Sequence, residues 1–357
     1  MVTASDVEAD AFCNRRCPRR ITFATEFSGL DAPAMAIANM SIKADQLFAT
    51  DSMECCRRVS KDYHHKKQVF DDIRSRDVDS LPPVHYYHYS PPCTTFSPEG
   101  KRAGASSPIG RLWKPSVKYI IKKKPRLISY EMVPGILKKP HKPELKKMIS
   151  TLKRAGYTCH LKVLNTRQHG IAQRRRRLYM VGALAWRRPF TWPAPVPVKW
   201  TAQRIVVKSA DDDGHRLPPK STQKNMIRQR TLVKRAYKRL LKDGINPATC
   251  ITFTDIGCSL KRATHASGEM PCVTARRGQC LDYWISTCGR RITLHELGQF
   301  QGLTPDTIDA LVGLGIRPRK VGEMLGNALS LNVIERVLGR ALWSAGLVGQ
   351  LPEDRWS

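Results

Sequence analysis

Cys93 lies in a segment that could present a reactive thiol. It comes directly after Pro91 and Pro92, and because proline fixes φ, these two residues stiffen the turn that carries the cysteine. A nucleophile benefits from such rigidity, since its direction of attack must be set before the substrate arrives. Two interpretations of the segment Tyr89 to Ser97 stay open: Cys93 is a nucleophile, or it is an ordinary loop cysteine.

A carboxylate and two arginines could act together with this thiol. Glu131 comes just after a predicted strand at residues 126–130, and Arg175 and Arg177 alternate on the way into an apolar strand at 179–182. Because side chains alternate across a strand, this spacing predicts that both arginines face inward. The alternatives are a strand-end carboxylate paired with one of the many lysines, and a plain basic patch at residues 174–177.

The elements that must position these residues alternate between strand and helix. Strands are predicted at residues 20–25 and 44–50, with a glycine turn at 26–31 and an alanine-rich helix at 32–40 between them, and a third strand ends near residue 70. Asp51 follows the second strand, where it could accept hydrogen bonds from ribose hydroxyls or serve as a helix N-cap. This order predicts an α/β fold with a doubly wound, Rossmann-like parallel sheet, which binds its ligands at the carboxyl ends of the strands.

The charge of the chain indicates a polyanionic partner. The 357 residues include 61 Lys and Arg against 30 Asp and Glu, a formal net charge of +31. A globular enzyme of small neutral metabolites has no need of such self-repulsion, whereas nucleic acid relieves it by counterion release. The alternative is a basic ribosome-like or membrane-surface protein, but 41% hydrophobic residues favour a folded, enzyme-sized core. The segment 220–242 holds nine basic residues and no acid along an amphipathic helical pattern, which fits either a phosphate-facing helix or a solvated one.

The cysteines predict an intracellular protein without a metal site. Their number, 11, is odd, and the five between Cys250 and Cys288 lack the CxxC spacing of a zinc knuckle. The first residues do not resemble a secretory signal, and no apolar run approaches the length of a membrane span. We therefore expect a reducing compartment, the nucleus if the source is eukaryotic and otherwise the cytoplasm, and no contact with a membrane.

Taken in order, these stretches resemble the DNA (cytosine-5-)-methyltransferase family. Eight of that family's motifs have counterparts along residues 20–340: Phe27-Ser28-Gly29-Leu30; Asp51; Asp72-Ile73; Pro91-Pro92-Cys93 with Phe96-Ser97; Glu131 with Val133; Gln173, Arg175 and Arg177; Arg290, Ile292, Thr293, Glu296, Gln301 and Gly302; and Gly326-Asn327-Ala328. Each motif alone could arise by chance, but eight in the family's order identify the chain as a member.

The resemblance implies a reaction and a set of residue roles. The protein would transfer a methyl group from S-adenosyl-L-methionine to carbon 5 of a cytosine that is flipped out of duplex DNA. Cys93 would attack carbon 6, and Glu131 would contact ring nitrogen 3 and the exocyclic amine. Arg175 would hold the carbonyl oxygen of the base, while Arg177 would order the loop. Ten residues would bind the cofactor: Phe27, Ser28, Gly29, Leu30, Asp51, Asp72, Ile73, Pro92, Asn327 and Ser330.

The resemblance and the composition together predict four regions in a monomer. These are a basic N-terminal tail (1–19), a catalytic cofactor-binding domain (20–185), a basic target-recognition lobe (186–316) and a C-terminal helical segment (317–357) that packs back on the catalytic domain. An RNA (tRNA) cytosine-5 methyltransferase on the same scaffold is the first alternative, and the size of the basic lobe favours DNA. The second is a non-catalytic nucleic-acid-binding homologue, against which the joint presence of Cys93, Glu131, Arg175 and Arg177 argues.

The chain departs from the family's usual residues around the site. Thr25 stands where an acid usually precedes the first motif, and Asp31 stands where a second glycine is usual. Asp31 is therefore expected to bring a negative charge close to the cofactor loop. The other departures are Ser52 for an aromatic, Tyr89 and Ser90 for a glycine pair, Thr94 for a glutamine and Met132 for an asparagine.

Overall fold

The computed structural model describes residues 17–65, 68–92, 109–214 and 216–357, so Cys93 lies outside the described residues. The chain divides into two compact units. Unit 1 holds the described residues up to Leu164 together with Arg176–Ala194 and Val333–Arg355. Unit 2 holds Asn165–Arg175, Pro195–Asn332 and Trp356–Ser357.

Thirteen strands are found in the described part of the chain: β1 Ile21–Glu26, β2 Ala44–Thr50, β3 Val69–Phe70, β4 Tyr86–Tyr89, β5 Leu127–Met132, β6 Thr158–Asn165, β7 His169–Ile171, β8 Arg176–Ala183, β9 Val196–Trp200, β10 Thr252–Asp255, β11 His265–Ser267, β12 Tyr283–Ile285 and β13 Arg290–Arg291. The same ranges contain these α-helices: α1 Ala32–Asn39, α2 Glu54–Arg58, α3 Trp113–Lys123, α4 Lys142–Arg154, α5 Ala202–Ile205, α6 Lys224–Lys242, α7 Ala275–Cys280, α8 Leu294–Phe300, α9 Pro305–Gly313, α10 Pro318–Asn327 and α11 Leu331–Ser344. No helix in the described ranges is both long and apolar enough to cross a bilayer.

Unit 1 is built on a seven-stranded sheet with the order β3-β2-β1-β4-β5-β8-β6. The pairs from β3 to β5 are parallel, and β8 runs antiparallel to β5. Every residue of β4 and β5 is buried, as expected for strands covered on both faces. The crossover at β1, from which the chain moves first to one side and then to the other, is the mark of a doubly wound sheet. The predicted Rossmann-like α/β fold is confirmed.

Unit 2 contains a four-stranded sheet with the order β11-β10-β12-β13, whose strands pair antiparallel. The long basic helix α6 packs against this sheet through its apolar stripe. Val233, Tyr237 and Leu240 share a buried cluster with Ile256 and Trp284. The helix therefore stabilises the sheet with one face and leaves its charged face outward.

The predicted and observed divisions differ at several places, and residues 186–194, predicted in the target-recognition lobe, belong to unit 1. Residues 165–175, predicted in the catalytic domain, belong to unit 2. The C-terminal segment is also divided, since α10 lies in unit 2 and α11 from Val333 onward lies in unit 1. Inside unit 1 that helix packs back on the first helix: Asn39 donates a 3.0 Å hydrogen bond to Glu335. Local periodicity shows that α10 and α11 are helical, but it carries no information about their packing partners.

Candidate active site

The predicted site residues of unit 1 lie at one edge of the seven-stranded sheet. Because β1, β2, β4 and β5 are parallel neighbours or next neighbours, their carboxyl ends meet at the same edge. This edge carries Phe27 to Leu30, Asp51, Asp72 with Ile73, Pro92 and Glu131. Arg175, Asn327 and Ser330 belong to unit 2.

The loop after β1 is a tight turn with alternating left-handed residues. Phe27, Gly29 and Asp31 have φ angles of 55°, 57° and 57°. Only glycine adopts this region without strain, so the bulky Phe27 is held there by its surroundings. Gly29 donates a 2.9 Å hydrogen bond to Oδ2 of Asp51, and the Ser28 hydroxyl donates to the Thr50 carbonyl at 3.0 Å. The loop is thus fastened to the end of β2.

Asp51 orders two backbone segments at once. Its Oδ2 accepts from Gly29, and its Oδ1 accepts from the Met53 amide at 2.8 Å. The N-cap of α2 is Met53 and not Asp51, so the interpretation of Asp51 as the helix N-cap does not hold. Burial raises the pKa of the Asp51 carboxyl, and the two amide donors oppose that rise. Asp51 lies close to the surface, at 9% exposure, beside an open side of Gly29: no described heavy atom lies within 4 Å of a Cβ built there.

The carboxylate of Asp31 lies close to the loop after β1, as the sequence predicts, but each of its oxygens accepts hydrogen bonds from neighbouring donors. Its carboxylate is fully buried beneath the loop, where Oδ2 accepts from the Thr25 hydroxyl at 2.9 Å and from the Gln46 amide at 2.6 Å. Oδ1 accepts from the Ala34 amide in the first turn of α1. In this chain the carboxylate beneath the loop comes from position 31, and Thr25 supplies a hydroxyl that donates to it.

The two residues of the third motif point in different directions. Ile73 is buried in unit 1. Asp72 is more than a third exposed and pairs with Arg74 at 2.7 Å, and these hydrogen bonds hold the pKa of Asp72 below its ordinary value. A cofactor contact by the Asp72 side chain would therefore compete with Arg74.

Glu131 lies at the centre of a polar cluster at the end of β5. The Nε of Arg177 lies 3.1 Å from Oε1 of Glu131, and the Ser90 hydroxyl donates to Oε2 at 2.9 Å. Both Glu131 and Arg177 are largely buried, which strengthens their interaction relative to one in water. Ser90 precedes Pro91 and Pro92, the last described residue before Cys93. The sequence analysis missed the contact of Ser90 with Glu131; its place at the end of β4, next to β5, was the available signal.

Arg175 has different partners from those expected. The sequence analysis gave it the carbonyl oxygen of the base, but its guanidinium is buried and donates to the backbone carbonyls of Val273 at 2.7 Å, Gly326 at 3.3 Å and Ala328 at 2.6 Å. Two of these carbonyls lie at the C-terminal end of α10, where a cation is favourable. Arg175 therefore fastens the end of a helix inside unit 2.

The remaining predicted residues of unit 2 differ in exposure. Asn327 is the last residue of α10 and is exposed, so the Gly326-Asn327 pair ends a helix and does not begin one. Ser330 is buried and forms a 2.7 Å hydrogen bond with the Thr166 hydroxyl. Within the described ranges, no three His, Cys, Asp or Glu side chains come together in a way that could hold a metal ion.

Comparisons with known proteins identify the family of the chain. The sequence profile of C-5 cytosine-specific DNA methylase matches residues 27–343. The Type II methyltransferase M.MthTI of Methanothermobacter thermautotrophicus is 30% identical over 161 residues, 45% of this chain and 49% of its own length, so the alignment spans about half of that relative. M.NgoBI of Neisseria gonorrhoeae is 26% identical over 269 residues, 75% of this chain and 77% of its own length.

Among solved structures, the methyltransferase EhMeth of Entamoeba histolytica superimposes with a TM-score of 0.60 at 17% identity. The match covers 91% of this chain and 98% of that one. At 17% identity this similarity shows the fold alone. The sequence profile covers most of the chain and therefore shows the family. On the strength of that profile, the chain belongs to the C-5 cytosine-specific DNA methylase family.

Proposed function

We propose that the protein methylates carbon 5 of a flipped cytosine in duplex DNA through a covalent adduct of Cys93 to carbon 6. The observation that carries the proposal is the cluster of Glu131, Arg177 and Ser90. It lies at the strand ends from which the chain continues through Pro92 to Cys93. A carboxylate held by an arginine in a shielded place is suited to bind a polar ring edge while a nearby thiolate reacts.

The chemistry requires these residue types. Carbon 5 of cytosine becomes nucleophilic only after the Cys93 thiolate forms a bond to carbon 6, which pushes an electron pair toward carbon 5 and the ring carbonyl. Glu131 would bind ring nitrogen 3 and the exocyclic amine. Arg177 would lie beside the carbonyl oxygen, because it is Arg177 that contacts Glu131. Arg175 would act indirectly, by holding the end of α10. Carbon 5 would then take the methyl group, its proton would pass to a water or hydroxide base, and the released electron pair would restore the ring double bond as the Cys93 sulfur leaves as a thiolate.

The loop residues fit S-adenosyl-L-methionine, which supplies an electrophilic methyl group when it is bound. Asp51 is held by two amide donors and has oxygens that could also accept from ribose hydroxyls. The open side of Gly29 would let a ligand approach the backbone closely. Phe27, Ser28, Leu30, Ile73 and Pro92 would shape the same pocket. Asn327 and Ser330 stay predicted cofactor contacts within unit 2.

Transfer of a labelled methyl group tests the proposal. The protein is incubated with tritiated S-adenosylmethionine and either duplex DNA or tRNA, beside the Cys93→Ala variant. We expect label in DNA from the wild type and background from the variant. Label in tRNA alone would overturn the DNA substrate, and absence of label from both would favour a non-catalytic nucleic-acid-binding protein.

A second substrate tests the covalent step separately. With fluorine in place of hydrogen at carbon 5, the last elimination is blocked, so the bond between Cys93 and carbon 6 should persist. We expect a denaturant-resistant complex of wild-type protein and 5-fluorocytosine duplex, and none with Cys93→Ala. Equal methyl transfer by the variant would contradict the role of Cys93.

A further inference from the structure

Helix α6 presents a continuous basic face. Lys234, Arg235, Lys238, Arg239 and Lys242 are all exposed. At about 100° per residue these five positions fall within an arc of about 140°, and at about 1.5 Å per residue they extend over about 12 Å. The turn Leu260–Arg262 lies beside the helix and adds exposed Lys261 and Arg262 to the same surface.

The opposite face of the helix is fastened to unit 2. The side chains of Val233, Tyr237 and Leu240 are buried, and the Trp284 indole donates to the Tyr237 hydroxyl at 3.2 Å. The rotation of α6 about its own axis is therefore set by its packing. The basic face is turned outward by the same contacts that hold the sheet, so it is preorganised for a partner.

The five cations are not paired with acids among the described residues. In the part of the chain that the structure describes, none of them forms an ion pair, although many other arginines of unit 2 do. Four of them, Arg235, Lys238, Arg239 and Lys242, line a shallow depression in which Asp243, which follows the helix, is the only acid among the described residues. Burial lowers the pKa of His265 on β11, the positive charge of Arg239 lowers it further, and Asp243 opposes the shift.

We propose that this face of α6, which we call the α6 basic face (Lys234, Arg235, Lys238, Arg239 and Lys242), binds the phosphate backbone of duplex DNA independently of sequence. The proposal rests on the proposed function, and it names the surface that would hold the DNA substrate. Duplex DNA carries one charge per about 1.7 Å of axis, so a 12 Å row of cations matches a polyanion better than a single phosphate. Lysines and arginines without acidic partners position DNA but do not read its bases.

A matched pair of variants tests this surface. The first replaces Lys234, Arg235, Lys238 and Arg239 with glutamine; the second makes the same change at four exposed residues of α4, Lys142, Lys146, Lys153 and Arg154. Both lose four positive charges, and glutamine is a good helix former, so both should fold. Binding of a fluorescent non-specific duplex is measured by anisotropy between about 0.05 and 0.3 M NaCl, with circular dichroism as the check on folding.

We expect the α6 variant to bind the duplex at least about tenfold more weakly, and its slope of log K against log salt to fall by about 0.9 for each lost contact. The α4 variant should keep the wild-type slope. The proposal is wrong if the α6 and α4 variants have the same slope of log K against log salt. It is also wrong if the α6 variant loses affinity for tRNA but keeps its affinity for duplex DNA. The two proposals can fail separately. If the α6 variant shows the reduced slope but the wild-type protein transfers no methyl group, the proposed function is wrong and the DNA-binding role of the α6 basic face stands.

Discussion

At the scale of single residues, the first loop shows a displaced carboxylate. The buried polar site under the loop needs an acceptor for Thr25 and Gln46, and Asp31 provides it. Asp31 also tolerates a left-handed φ better than most residues, so one side chain meets both needs of this position. The departures at positions 25 and 31, which look independent along the chain, are in direct contact through this hydrogen bond, and we expect them to be an exchange of one acid between the two positions.

This exchange predicts a rescue. Asp31→Gly should destabilise the protein by about 2 kcal/mol, because Thr25 and Gln46 lose their charged acceptor. Adding Thr25→Asp should recover part of that loss, whereas Thr25→Asp alone should destabilise by placing two buried carboxylates together. Urea unfolding of the three variants gives the coupling energy. If the losses of unfolding free energy in the two single variants simply add up in the double variant, the two positions are not coupled and the idea of an exchange is wrong.

At the scale of elements, two helices of unit 2 cross with only backbone between them. A Cβ on Gly278 in α7 would lie 2.0 Å from the Gly322 carbonyl oxygen, and one on Gly322 in α10 would lie 2.3 Å from the Gly278 carbonyl oxygen. Such distances are shorter than any real contact, so the crossing requires glycine on both sides. The same α10 ends at the carbonyls that Arg175 holds.

Gly322→Ala should therefore force the two helices apart and destabilise the protein by about 3 kcal/mol. Gly313→Ala is the matched control, since Gly313 is exposed at the end of α9 with no heavy atom within 4 Å of its Cβ position and no positive φ. Because alanine restricts the unfolded chain more than glycine does, Gly313→Ala should leave the stability of the protein unchanged or raise it by about 0.4–1 kcal/mol. Thermal unfolding checks both, and a similar melting temperature for the two variants would rule out the crossing as described.

The sequence allows the catalytic sheet and its edge to be predicted, because strand alternation and the residues at strand ends are local properties. Glu131 and Asp51 are found at strand ends for that reason. The inward direction of Arg175 could be predicted but its partners could not, since they are main-chain carbonyls about 100 to 150 residues away. Main-chain acceptors leave no mark in the sequence. The buried ion pair of Glu26 and Arg76, 2.6 Å apart, was missed for a similar reason. The role of Cys93 stays a prediction.

At the scale of the whole molecule, the net charge of +31 sets how the fold responds to ions. Positive charges distributed over the surface repel one another, and this repulsion is relieved when the chain unfolds and expands. Salt screens the repulsion, because the Debye length falls from about 30 Å at 0.01 M to about 8 Å at 0.15 M. A bound polyanion relieves it more efficiently, by placing many negative charges on the folded state alone.

The melting temperature should accordingly rise between about 0.01 and 0.15 M NaCl, and a short DNA duplex at low salt should raise it further. At a free duplex concentration of about 100 times its dissociation constant, linkage contributes about 2.7 kcal/mol to stability. The same duplex at about 1 M NaCl is the control, since counterion release then no longer favours binding and the increase should vanish. Differential scanning fluorimetry measures both effects. If neither salt nor duplex changes the melting temperature, the 31 excess positive charges are compensated within the fold. The net charge would then no longer be a reason to expect a nucleic-acid partner.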